Sequence, residues 1–231
     1  GMIGFEYVRA LERDMRARGR LMMANSTPRS WFWLAPLVDV MGTESDWHRG
    51  GTWAPMSDEE LMYRRALCKG KPFCFLMNSD FSNFPYEISE KFMKRALAYG
   101  MFPGYFSADA STGHYFKRPE LYNRDRPLFK KYVPLCRLVA EAGWEPLTGA
   151  STDTPDVIVE RFGQLPGKCY LTVYNLAEKR MKATVKLTAI KCQLVCRELV
   201  AGADVTWRDR QASFDLEACG VRALELRDEA E

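Results

Sequence analysis

The chain has 231 residues, 47% of them hydrophobic, and its 33 basic residues nearly balance 30 acidic ones. This length supports one large domain, or a medium domain followed by a small one, each with its own core. The net charge of +3 is spread along the chain, so no basic stripe indicates nucleic-acid binding. No apolar run reaches the roughly 18 residues of a membrane-spanning helix, and the amino-terminal residues lack the pattern of a secretion signal.

The cysteines and histidines give no sign of a metal or of any other cofactor. The seven cysteines lie mostly within apolar patterns and form no CxxC pair. They are typical of reduced core residues, which favours a cytoplasmic location. His48 and His114 are the two histidines of the chain, too few and too isolated for a common metal centre.

The amino-terminal part alternates between helical patterns and short apolar runs. Helices are predicted from residue 3 to 18, from Ser57 to about 69, from 86 to 99 and from Asp125 to 142. Buried strands are predicted at 21–25, 37–41, 72–77 and 101–106. Because each strand is followed by a crossover connection, the strands should pair in parallel, which predicts an α/β fold with about four parallel strands.

The pattern changes near residue 150, in a segment of Ser, Thr, Asp and Pro that resembles a linker. From residue 157 onward, short alternating strands with turn residues between them predict a small antiparallel β-sandwich. The sequence therefore predicts two domains, a partial (β/α) barrel in residues 1–150 and a β-sandwich in residues 151–231. A complete eight-stranded barrel needs about 250 residues, so the first domain corresponds to half of one.

Carboxylates follow the second predicted strand and indicate glycosidic chemistry. In parallel α/β folds, functional groups collect where the strands end. Cleavage of a glycosidic bond needs one carboxylic acid and a second carboxylate across the bond. Glu44 and Asp46, which follow Gly42 and stand beside Trp47, are the candidate catalytic residues. The alternative is that Glu44 caps a helix or pairs with Arg49.

Amide, aromatic and further acidic residues after the strands suit a carbohydrate ligand. Sugar hydroxyls need polar partners, and the apolar faces of sugar rings stack on aromatic side chains. The predicted substrate-binding residues are Asn25, Trp47, His48, Asn78 and Asp80. The alternatives are ordinary structural roles: Asn25 in a turn, His48 in a loop and Asp80 as a cap.

With these residues in view, the chain resembles the carboxyl-terminal part of barrel glycoside hydrolases, in particular the alpha-galactosidase-like group. The resemblance rests on loose motifs at residues 21–25, 38–44, 75–80, 198–202 and 220–226. It implies that the predicted strands are barrel strands five to eight, and that the acid/base falls on Glu44 or Asp46. It also implies that the nucleophile strand precedes Met2.

This resemblance implies a glycoside hydrolase fragment that acts on O-glycosidic bonds when complete and is inactive alone. The alternative is a non-catalytic carbohydrate-binding or assembly protein. A half barrel would expose two sheet edges and an apolar wall, so we expect the chain to form a homodimer that covers them. Light scattering at micromolar concentration should give the mass of two chains, and the mass of one chain would contradict this expectation.

Overall fold

The computed structural model describes residues 2–25, 32–107, 113–165, 167–190 and 194–228. The chain divides into two compact units, one from residues 1–85 and 102–122 and one from residues 86–101 and 123–231. Each unit joins segments that are separate in the sequence. The domain boundary predicted at residue 150 stays a prediction. Within the described residues, no helix is long and apolar enough to cross a membrane.

The first unit is built on a five-stranded sheet whose four main strands are parallel. The strand order is β1-β2-β4-β5, and the short strand β3 pairs antiparallel with β2. The strands are β1 (Met23–Asn25), β2 (Val40–Arg49), β3 (Thr52–Ala54), β4 (Phe73–Ser79) and β5 (Phe102–Ser107). The predicted α/β class with about four parallel strands is confirmed.

Among the described residues of the first unit, two α-helices lie wholly within it, α1 (Met2–Ala17) and α2 (Asp58–Leu67). The start of α2 follows from its sequence, because the Ser57 hydroxyl accepts a hydrogen bond from the Glu60 backbone N–H at 3.2 Å. Acidic residues fill its first turn and two arginines its last, as the helix dipole favours. Short 3-10 helices lie at Phe32–Leu37, Phe81–Asn83 and Tyr115–Lys117.

Strand β2 is longer than the sequence predicted and extends through the candidate carboxylates. The prediction ended the strand at Met41, whereas β2 continues to Arg49. Gly50 and Gly51, both at positive φ, form a two-residue turn that pairs Arg49 with Thr52 of β3. Such a turn suits glycine because both central residues need left-handed backbone angles. Glu44 and Asp46 therefore lie within a strand, not in the loop after it.

The described part of the second unit contains two antiparallel sheets, all of one helix and most of another. The helices are α3 (Tyr86–Ala98) and α4 (Pro119–Ala142). The strands are β6 (Trp144–Glu145), β7 (Ala150–Thr152), β8 (Val157–Gly163), β9 (Cys169–Asn175), β10 (Met181–Leu187), β11 (Leu194–Glu198), β12 (Ala203–Asp204), β13 (Gln211–Leu216) and β14 (Val221–Asp228). The sheet orders are β12-β11-β14-β9-β8-β6 and β13-β10-β7. Apolar residues from both sheets form one buried cluster, which confirms the predicted β-sandwich.

The start of helix α4 was predicted wrongly. The sequence placed it at Asp125, with Pro127 in the first turn, but the helix begins at Pro119. Pro119 already occupies the first helical position, where the missing N–H costs nothing. Pro127 and Pro134 lie inside the helix.

The amino-terminal helix and the first strand expose large apolar side chains. Ile3 is 88% exposed, Leu21 76% and Met23 53%, and α1 has no buried residue. Exposed apolar groups of this kind favour association with another surface. Pairing with a second copy of the chain stays a prediction.

Candidate functional site

Strand β2 contains a β-bulge at the predicted catalytic residues. Thr43 pairs with Phe75 of β4, but the next registered pair is Asp46 with Met77. Glu44 and Ser45 therefore stand opposite one residue of β4, Leu76. A bulge of this kind changes the direction of the side chains that follow it.

Helix α2 fixes the strand just before the bulge. The Arg64 side chain, 1% exposed, donates to Thr43 Oγ1 at 3.2 Å and to Glu60 Oε1 at 2.9 Å. The Thr43 hydroxyl in turn donates to Ser45 Oγ at 3.0 Å. Because a buried arginine needs charged and polar partners, this chain of contacts holds the bulge in one geometry.

Beyond the bulge, three residues form a row across adjacent strands. Trp47 of β2 registers with Asn78 of β4, and Asn78 registers with Phe106 of β5. Registered neighbours in a sheet project to the same face. Trp47 is 37% exposed and Phe106 42% exposed, while Asn78 between them is largely buried. We call Trp47, Asn78 and Phe106 the aromatic row.

Asn78 connects the aromatic row to the bulge. Its side-chain Nδ2 donates to the backbone carbonyl of Glu44 at 2.7 Å. The Glu44 side chain is half-buried. This contact fixes the backbone at Glu44, the residue that carries the half-buried carboxylate.

The Arg49 side chain packs against the ring of Trp47. Its guanidinium carbon lies 4.2 Å from the centre of the Trp47 ring, a cation–π contact. Trp47 retains its exposed surface despite this contact. An aromatic ring beside a set of N–H donors can bind a sugar by stacking and by hydrogen bonds to its hydroxyls.

Asn25 lies on the same face of the sheet but at a distance from the aromatic row. It registers with Gly42, and Gly42 registers with Cys74. Cys74 precedes Asn78 by four residues, which is about 13 Å along a strand. A side chain on Gly42 would come within 3.0 Å of Asn25 Oδ1, so glycine is what allows Asn25 to lie over β2.

Asp46 occupies the opposite, buried face of the sheet. It is fully buried, and its two carboxylate oxygens accept hydrogen bonds from Trp53 Nε1 at 3.0 Å and from the Met56 backbone N–H at 2.9 Å. These bonds connect β2 to β3 and to the segment before α2. The geometry therefore gives Asp46 a structural role and leaves Glu44 as the accessible carboxylate of the predicted pair.

His48 shares the buried face with Asp46. It is fully buried, and neither ring nitrogen has a hydrogen-bond partner among the described residues. Its ring meets the edge of Phe84 with the centroids 5.1 Å apart. Burial lowers the pKa of His48, and the nearby charge of Asp80 opposes that shift. Burial thus favours the neutral form of His48, which lies on the face opposite to the aromatic row.

Asp80 acts as a helix cap. Its Oδ1 accepts hydrogen bonds from the backbone N–H of Ser82, at 3.0 Å, and from the Ser82 hydroxyl. The hydrogen bonds from Ser82 hold the pKa of the carboxyl below its usual value. This is the capping alternative that the sequence left open.

The structure thus brings together part of the predicted set and adds one residue to it. Trp47 and Asn78 lie in the aromatic row and Asn78 is bonded to the Glu44 backbone, while Asp46 and His48 lie on the other face. Phe106 was not predicted. The signal was present in the alternation of Phe102, Gly104 and Phe106, which puts the three on one face of a strand. Within the described ranges, no group of three or more metal-ligating side chains could hold a metal ion.

Comparison with known proteins shows a likeness of fold. The chain matches no family model, and no curated protein matches it at a significant level. Alpha-galactosidase I from Mortierella vinacea superposes with a TM-score of 0.59 at 11% identity, covering 99% of this chain and 64% of that one. An alpha-amylase from Anoxybacillus gives a TM-score of 0.58 at 10% identity, covering 97% of this chain and 56% of that one.

The chain spans less than two thirds of the length of either solved structure. At these identities the likeness concerns the fold alone. The chain has a glycoside hydrolase-like fold, a partial (β/α)8 barrel followed by a β-sandwich.

Proposed function

We propose that this chain forms part of a glycoside hydrolase that acts on O-glycosidic bonds. The observation that carries the proposal is the position of Glu44 on a β-bulge beside exposed Trp47, in a parallel sheet of glycoside hydrolase-like fold. Trp47 and Asn78 pair close to the carboxyl end of β4, where functional groups of such sheets collect, and bulges occur often next to active sites.

In this proposal Glu44 supplies the proton that the departing oxygen needs. The aromatic row binds the sugar, with Trp47 stacked on a ring face and Asn78 near a hydroxyl. Cleavage needs a second carboxylate across the bond. We infer that this carboxylate is supplied by residues outside this sequence, so that the chain alone binds sugar and does not cleave it.

A carbohydrate-binding protein without catalysis is the second candidate. The observation in its favour is that the row combines two exposed aromatic rings with an amide, a set of groups that suffices for binding. The two candidates differ in turnover, because only an enzyme needs the carboxyl proton of Glu44.

The test compares binding and turnover. Tryptophan fluorescence titrated with oligosaccharides should show saturable binding by the chain, and Trp47→Ala should weaken that binding when it is measured by calorimetry, which does not depend on the indole as a reporter. A release assay with aryl glycosides should show no turnover by the chain alone and turnover by a form of the protein that also carries the second carboxylate. Absence of saturable binding would contradict both candidates. Turnover by the chain alone would place the second carboxylate within it.

A further inference from the structure

The two exposed rings of the aromatic row are separated by one whole strand. Trp47 lies on β2 and Phe106 on β5, with β4 between them. Neighbouring strands are about 4.8 Å apart, so the backbones that carry the two rings are roughly 10 Å apart. One pyranose ring is shorter than this distance. A single monosaccharide can therefore stack on one ring but not on both.

Polar groups lie between and beside the rings. Asn78 lies at the middle of the row, and its Nδ2 donates a hydrogen bond to the backbone carbonyl of Glu44 at 2.7 Å. No hydrogen-bond donor among the described residues contacts its Oδ1, so this oxygen can accept a hydrogen bond from a ligand hydroxyl. Arg49 adds N–H donors next to Trp47. Across the sheet, the groups therefore follow one another in a fixed order. They are the Arg49 guanidinium, the Trp47 ring, the Asn78 acceptor oxygen and the Phe106 ring.

We propose that the aromatic row binds an oligosaccharide of at least two sugar residues, lying across the strands with one residue on Trp47 and a later one on Phe106. This inference rests on the proposed function and adds to it the length and direction of the ligand. The row runs perpendicular to the strands, because registered residues of neighbouring strands lie side by side. Glu44 lies on the same strand as Trp47, at the bulge, so it is nearer to the end of the bound oligosaccharide that stacks on Trp47.

A stacked ring adds a measurable amount to affinity. A pair of aromatic rings contributes about 0.5–1.5 kcal/mol beyond the area it buries, and a sugar that gains a similar amount by stacking on a ring binds roughly two- to tenfold more tightly. A ligand long enough to reach Phe106 gains this contact, and a monosaccharide does not. The affinity should therefore rise with chain length, and that rise should depend on Phe106.

The experiment measures dissociation constants by calorimetry for two series of ligands, because the solved structures of similar fold include an alpha-galactosidase and an alpha-amylase. One series is galactose, melibiose, raffinose and stachyose, and the other is glucose, maltose, maltotriose and maltotetraose. In one series the affinity should rise by about tenfold from the monosaccharide to the longest member. In Phe106→Ala the rise in affinity from the monosaccharide to the longest member should fall to about twofold.

Trp47→Ala should weaken binding of short and long ligands alike. Tyr63→Ala is the matched control, because Tyr63 is 50% exposed but lies on helix α2, outside the row. It should change none of the dissociation constants. Far-ultraviolet circular dichroism and a urea midpoint establish that each variant is folded.

The outcomes separate this inference from the function on which it rests. Equal affinity for short and long ligands, or a rise that survives Phe106→Ala, would overturn the inference. If binding in that case still depends on Trp47, the proposed function remains. Failure of both series to bind the unmodified chain would overturn the proposed function and this inference together.

Discussion

Replacing Glu44 with glutamine should lower the rate of glycoside hydrolysis by about 10²- to 10⁴-fold, the usual contribution of a general acid. The amide has nearly the same shape as the carboxyl group but cannot donate the required proton to the departing oxygen. Glu44 is half-buried at the bulge, and its backbone carbonyl, which accepts from Asn78, is unchanged by the substitution. Sugar binding should therefore stay within about twofold of the original.

The leaving group provides the sharpest measurement of this effect. The assay uses a form of the protein that hydrolyses aryl glycosides, with one substrate that has an acidic phenol as leaving group and one that has a poorly acidic phenol. A general acid matters less when the leaving group is already a weak base. Glu44→Gln should consequently lose far more activity on the second substrate. Equal losses on both, or no loss, would contradict the assigned role.

Replacing Asp46 with alanine should lower the free energy of unfolding by about 3 kcal/mol. The buried carboxylate accepts bonds from Trp53 Nε1 and from the Met56 N–H. Its removal leaves donors without their acceptor and opens a cavity at the start of the segment that leads to α2. Urea denaturation measures the loss as a lower midpoint at unchanged slope.

Two further variants serve as controls for Asp46. Asp46→Asn retains one acceptor oxygen and should lose less stability than the alanine variant. Glu59→Ala removes an exposed carboxylate from the first turn of α2 and should cost less than about 1 kcal/mol. If Asp46→Ala left the urea midpoint unchanged and abolished hydrolysis, Asp46 would act on the substrate directly, and the structural role would be wrong.

Local signals predicted most of the elements in the first unit. The capping spacing of Ser57 and Glu60 predicts the start of α2, and the apolar runs predict three of the four parallel strands to within two residues at each end. Strand β2 was predicted too short. Its second half contains charged and polar residues, and it is a strand because β3 and β4 pair with it. Pairing between distant segments is not visible in a local pattern.

The candidate site was predicted in part, for a related reason. In a regular strand Glu44, Asp46 and His48 would share one face. Asp46 and His48 alternate with Trp47 and therefore lie on the other, buried face, which follows from strand periodicity once β2 is known to reach Arg49. The extra residue at Glu44 and Ser45 takes Glu44 out of that alternation. A bulge depends on the register between two strands, so the sequence of one strand does not reveal it.

The most direct test of the account is the structure of the chain with a bound oligosaccharide from the series that binds. We predict one sugar ring stacked on Trp47, another near Phe106, and a hydroxyl within hydrogen-bond distance of Asn78 Oδ1. A sugar bound to the β-sandwich, or on the face that carries Asp46 and His48, would contradict the account.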